Sequence, residues 1–282
     1  MIGRKVAGRK ILLFFIVTYG LSWIFWVPAA VFGHDFTSSV WLIPFILGGF
    51  GPSVAGIIMT YREHDGPGRR VFWERVIDFR RISGPWYAVI FLTFPAALTA
   101  AVLFNYLIQG RQPSFEVLNQ FIANPLALIG AVVIGIFTGP LSEELGWRGY
   151  VQDQLQQKWS PLFSSLILAP FWWAWHLPLF FMSGTTHYNW GVDTLHFWLF
   201  MAGTFPLSVL LAWVYKHNNR SILAAVLLHF MGNFSLSLVH PMSETLHTVY
   251  VLLLALAALG TVLFPVLGKR RWQPEYSNRS IF

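Results

Sequence analysis

Two adjacent carboxylates, Glu143 and Glu144, lie in the stretch Gly139-Pro-Leu-Ser-Glu-Glu-Leu-Gly-Trp-Arg-Gly149. Arg148 follows Glu144 by four residues, so on a helix the two share a face and can pair. Glu143 is turned by about 100° from that face and need not share the partner. His176 sits in Phe171-Trp-Trp-Ala-Trp-His-Leu-Pro178, and His229 and Asn233 sit in Leu228-His-Phe-Met-Gly-Asn-Phe234, again four apart. A carboxylate free to move a proton, imidazoles and an amide to donate hydrogen bonds, and a guanidinium to fix a second carboxylate are the parts of a hydrolytic site.

Each part also has a plainer reading. Glu144 and Arg148 alone would make a buried ion pair that locks a bundle, and His176 alone a hydrogen-bonded core histidine. The six together favour a site, because almost no other charge lies at their depth. Glu143, His176 and His229 could also hold one zinc ion with an open position. Against that stand the missing His-Glu-x-x-His pattern and the cation Arg148 close by, so no metal and no cofactor is expected.

The elements that must position these groups are apolar. Hydrophobic residues make up 55% of the 282 and charged residues only 11%, against roughly 25% in a soluble domain. Lipid, not water, must cover such a chain. A crossing helix needs about 20 apolar residues, and eight stretches qualify: 11–33, 41–60, 84–108, 124–155, 160–182, 193–216, 220–238 and 243–267. The fold expected is all-α, a polytopic membrane bundle of about eight transmembrane helices in one integral domain, 1–282. The first stretch follows Arg4, Lys5, Arg9 and Lys10 but exceeds the roughly 7–15 apolar residues of a signal peptide, so it reads as a span.

Of the 19 Lys and Arg residues, 17 fall on one side of this scheme. They are the four near the N-terminus, six between 62 and 81, Lys158, Lys216, Arg220, and Lys269, Arg270, Arg271 and Arg279. Arg111 alone is opposite, and Arg148 lies within the fourth stretch. The positive-inside rule then puts both termini in the cytoplasm and the chain in the cell membrane as a multi-pass protein. The basic balance is thereby a topology signal and not a nucleic-acid surface. The connection 64–83 reads either as an amphipathic helix along the headgroups or as a solvated basic loop. The absence of cysteine excludes disulfides, thiolate metal sites and a thiol nucleophile.

Charge within a span is costly and marks function. Ten of the twelve acidic residues fall in loops or at span ends, leaving Glu143 and Glu144. His196, near the outer end of the sixth stretch, reads as interfacial. Stretches four and five turn near Ser160-Pro161, and Glu143 and His176 are each about 25 Å from that tip, so they face each other. The polar tip, Gln152 to Lys158, suggests that the pair lies toward the cytoplasmic half. The sixth and seventh stretches turn near Asn218-Asn219, with His229 and Asn233 roughly 15 and 21 Å away. Pro140 should kink the fourth stretch, Gly135 and Gly139 should let a neighbour approach, and Gly146 and Gly149 should loosen it.

At these residues the sequence resembles the CPBP family, which includes the CAAX prenyl proteases type II and bacteriocin-processing enzymes. Its pattern Glu-Glu-x-x-x-Arg is matched by Glu143, Glu144 and Arg148, and His-x-x-x-Asn by His229 and Asn233. Phe-x-x-x-His appears with Trp172 in place of Phe, before His176, and this departure weakens any tie to the strict prenyl-protease branch. The resemblance covers about residues 84–240. It implies a glutamate-dependent intramembrane endopeptidase acting on a membrane-associated peptide or lipidated protein, with a prenylated CAAX-type end as one candidate. In that scheme Glu143, assisted by His176, activates water; His229 and Asn233 stabilise the oxyanion; Glu144 and Arg148 orient and tune Glu143. The resemblance also admits a non-catalytic bacteriocin-immunity or scaffold protein. A metal-dependent membrane protease is a further alternative. A transporter fits less well, since the halves of the chain do not repeat.

Overall fold

The computed structural model describes residues 2–33, 39–110, 114–239 and 242–263, and among these it contains helices and no strand. Helix α1 (Ile2–Phe32) leads to α2 (Ser39–Gly49) and α3 (Gly51–Glu63). A surface helix α4 (Gly66–Ile77) precedes α5 (Gly84–Gln109). The fourth hydrophobic stretch is broken: α6 (Glu116–Ala123) and α7 (Pro125–Phe137) are followed by α8 (Pro140–Gly146), a π-helical turn Trp147–Val151 and α9 (Gln152–Gln156). Then come α10 (Pro161–Trp175), the short α11 (Thr186–Trp190), α12 (Leu195–His217), α13 (Ile222–Ser237) and α14 (Glu244–Leu263).

All eight expected stretches are helical over most of their described residues. Six described segments are long and apolar enough to cross a membrane, and the α2–α3 pair, bent by 42°, makes a seventh if taken as one span. Gly49, Gly51 and Pro52 sit at that bend. The seventh stretch, 220–238, falls short. Helix α13 has 16 residues, about 24 Å of rise against a hydrocarbon core of about 30 Å. The charges invoked for topology at Arg111 and at Lys269, Arg270, Arg271 and Arg279 lie outside the described residues.

Local chemistry accounts for the helix starts. Ser160 caps α10 by accepting from the Phe163 N–H at 3.3 Å, with Pro161 in the first turn. Ser221 caps α13 at Ala224 (3.1 Å) and Thr194 caps α12 at Phe197 (3.2 Å). The turn expected at 218–219 is made by Asn219 and Arg220, both in the left-handed region at φ 53° and 56°. Pro140 breaks the fourth stretch as expected and opens α8, and the π-helical turn begins right after Gly146.

The connection 64–83 folds as a helix whose Phe72, Arg75 and Val76 are buried against the bundle. Arg75 meets Asp153 at 3.1 Å and donates to the Arg220 carbonyl at 3.0 Å. Asp153 also takes a hydrogen bond from Tyr215 at 2.8 Å and pairs with Arg220. This cluster ties α4, α9, α12 and the start of α13 together at the end of the bundle that carries the basic connections.

Near the middle of the bundle two backbones touch. A Cβ added to Gly146 would lie 2.1 Å from the Pro52 carbonyl oxygen, and one added to Gly56 would lie 2.7 Å from that of Leu145. Helices α3 and α8 therefore pack glycine to backbone, and Ser53 adds a hydrogen bond to the Leu141 carbonyl at 2.9 Å. Helix α1 holds α10 from outside through Tyr19 to the Phe171 carbonyl (2.6 Å) and Trp175 to Ser22 (2.7 Å).

Candidate active site

The short α8 and the π-helical turn carry the carboxylates. Glu144 and Arg148 are fully buried, and an Arg148 guanidinium nitrogen lies 3.0 Å from Oε1 of Glu144. A second guanidinium nitrogen of Arg148 donates to Ser208 on α12 at 3.3 Å, and its face rests on the Trp172 ring at 4.6 Å. Oε1 of Glu144 also meets Nδ1 of His229 at 2.8 Å. Glu144 thus spans from its own helix to α13.

Glu143 has different partners. Its Oε2 accepts from the indole N–H of Trp172 at 2.6 Å and from that of Trp147 at 3.3 Å. The hydrogen bonds divide the expected group: Arg148 holds Glu144, Glu144 holds His229, and two indoles hold Glu143. Trp172, in place of the Phe of the motif, supplies a donor that phenylalanine would lack. The Trp172 ring also stands edge-on to His229 at 5.3 Å between centroids.

His176 caps the C-terminus of α10 instead of lying within a continuous helix. Its Nδ1 is 2.8 Å from the Trp172 carbonyl. A carbonyl only accepts, so Nδ1 carries the hydrogen, and in the neutral ring Nε2 is bare.

These elements enclose a cavity of about 680 Å³ lined by Glu143, His176, His229 and Asn233. Glu144 and Arg148 stand behind its wall. The small residues do what their spacing implied: Gly135 admits the Phe230 ring and Gly139 admits the Asn233 amide, each within 3.2 Å of where a Cβ would be. Among the described residues no three His, Asp or Glu side chains are grouped to hold a metal ion.

The cavity extends away from the basic connections, toward the opposite end, where its lining includes Asn189, Trp190, Ser237 and Met242. His196 is near the end of α12, as expected, yet it lines the cavity instead of only facing headgroups, and its Nδ1 is 2.9 Å from Nδ1 of His247 on α14. His187, on α11, stacks on His176 at 5.4 Å. Neither His187 nor His247 was singled out in the sequence. Each lies at the edge of an apolar stretch, and no spacing ties it to the motifs.

A family model described as Type II CAAX prenyl endopeptidase Rce1-like matches residues 125–235, a span that contains all six site residues. The CAAX prenyl protease 2 of Methanococcus maripaludis is 25% identical over 235 residues, which is 83% of this chain and 86% of the relative. The chain is thus similar to CAAX prenyl endopeptidases over most of its length. This likeness supports a membrane peptidase, and the matched span lies within the 84–240 region whose motifs carried the resemblance. The alignment to the archaeal relative reaches well beyond the motifs and takes in helices that the motifs do not touch.

Proposed function

We propose that this protein is a multi-pass endopeptidase of the cell membrane that hydrolyses a peptide bond in a membrane-associated protein or peptide, a prenylated CAAX-type terminus among the candidates. One observation carries the reading: Glu143, His176, His229 and Asn233, from three separate segments, line one cavity, and a fully buried ion pair braces the wall behind them.

In this mechanism Glu143 takes a proton from a water molecule while His176 accepts the water's second hydrogen at Nε2. The water oxygen attacks the scissile carbonyl, and its C=O becomes a tetrahedral oxyanion. Asn233 donates an amide hydrogen to that oxyanion. His229, as an imidazolium with Nδ1–H on Glu144, donates Nε2–H to it. Glu143 then passes its proton to the leaving nitrogen, the C–N bond breaks, and a carboxyl end and an amine end depart. The indoles of Trp147 and Trp172 hold one oxygen of Glu143, which leaves the other for water. Glu144 and Arg148 position His229.

The test is cleavage of a peptide library by the purified protein in detergent, with wild type beside Glu143→Gln. The expected result is loss of at least about a thousandfold in turnover from a folded variant. Undiminished cleavage by Glu143→Gln ends the assignment.

A further inference from the structure

The far end of the cavity holds a second polar cluster that the mechanism does not use. His196 and His247 are engaged with each other through their Nδ1 atoms at 2.9 Å, and their rings lie 5.2 Å apart, nearly parallel. Such a bond needs one Nδ1–H and one bare Nδ1. If both rings are neutral, one Nε2 is then a donor and the other an acceptor. If one ring is protonated, both Nε2 atoms are donors. In either state at least one N–H remains for a guest, and both residues line the cavity.

Between this pair and the hydrolytic groups the wall is a run of rings. His176 stacks on His187 at 5.4 Å, His187 meets Trp190 at 5.7 Å, and Trp190 meets His247 at 5.2 Å. Three such steps correspond to at most about five residues of extended peptide. The opposite wall brings α12 close to α14, where a Cβ on Gly203 would touch Val251 at 3.4 Å. The cavity is thus a slot with apolar walls and hydrogen-bonding groups at both ends. A slot of that kind suits a short peptide segment anchored at two places.

We propose that His196 and His247 form a second binding subsite, which grips a carbonyl-type oxygen of the peptide up to about five residues from the bond presented to Glu143. This rests on the peptidase reading above, but its test is separate. The probe is a dansyl-labelled, S-farnesylated heptapeptide with a Cys-aliphatic-aliphatic-X end, prepared as free acid and as C-terminal amide. Its binding is followed by fluorescence in nanodiscs with Glu143→Gln, which holds the peptide without turnover. Adding His247→Phe or His196→Phe keeps a ring and removes either the donor or the imidazole that orients it. Each should raise Kd about tenfold, the equivalent of about 1.4 kcal/mol, and the two together should do no more than either. His247→Asn restores an N–H and should recover most of the affinity. This separates a lost hydrogen bond from a lost fold. Weakening of the free acid alone identifies a terminal carboxylate, and weakening of both forms identifies a main-chain carbonyl. An unchanged Kd in both Phe variants, or no saturable binding at all, overturns the subsite. Turnover retained by Glu143→Gln would instead overturn the peptidase reading, whatever the binding shows.

Discussion

The indole of Trp172 donates to Oε2 of Glu143 at 2.6 Å, a bond that phenylalanine at this position could not make. Trp172 is also the surface on which Arg148 lies and against which His229 stands. One side chain thus touches Glu143, Arg148 and His229 and is itself buried.

Trp172→Phe keeps the aromatic plane and deletes the donor. A hydrogen bond to a charged group contributes about 1.5–3 kcal/mol, so kcat should fall about 10- to 100-fold while KM stays within about twofold. Steady-state kinetics on any cleaved peptide decide it. A rise in KM with kcat intact would mean that Trp172 serves binding and not the alignment of Glu143.

The adjacent glutamates should separate in stability. Glu144→Gln leaves Arg148, which is fully buried, without a counter-ion, and removing one partner of such a pair costs about 3–5 kcal/mol. Glu143→Gln keeps an oxygen to accept from the two indoles and should melt within a few degrees of wild type. Thermal unfolding of both variants in one detergent makes the comparison, and equal melting temperatures would contradict it.

Gly146→Ala should be poorly tolerated, since the new methyl would lie 2.1 Å from a backbone oxygen that cannot swing away. Overpacking of this kind costs about 1–3 kcal/mol. Gly130→Ala, with nothing within 4 Å of the added carbon, is the control and should be neutral or slightly stabilising. Expression level and melting temperature report both.

Acid should loosen the end of the cavity near α11. Burial among the rings of His176, Phe180 and Phe200 lowers the pKa of His187 to about 4. The unfolded chain binds this proton near pH 6.5 and the folded chain does not, so the stability linked to His187 is complete above about 6.5 and is lost as pH falls toward 4. Melting temperature measured from pH 7 to 4.5 should decline less in His187→Phe than in wild type. Parallel curves would remove the assignment.

Much of this was legible in the sequence for a simple physical reason. Charge in an apolar stretch is rare, so Glu143, Glu144 and Arg148 stood out, and the four-residue spacing of His229 and Asn233 put both on one face. The role of Trp172 was not legible. In a chain with 14 tryptophans an indole donor looks like any lipid-facing ring. The His196–His247 contact joins residues 51 apart and leaves no local pattern. The π-helical turn and the place of the break at Thr138-Gly139 were not legible either, because residue numbers do not mark where the fourth stretch changes its rise and direction. The seventh stretch counted Arg220 and Ser221, which the fold spends on a turn and an N-cap, so α13 is shorter than the stretch.

The contact of α3 with α8 sets which part of the protein can move. Main chain against main chain has no rotatable bond at the point of touch, so the wall behind Glu143 behaves as an anvil. The facing wall is made of imidazole, indole and phenyl groups on α11 and α12, where motion needs only side-chain torsions. Accommodation of a bulky guest therefore falls to the rings, while the carboxylates stay still beneath it.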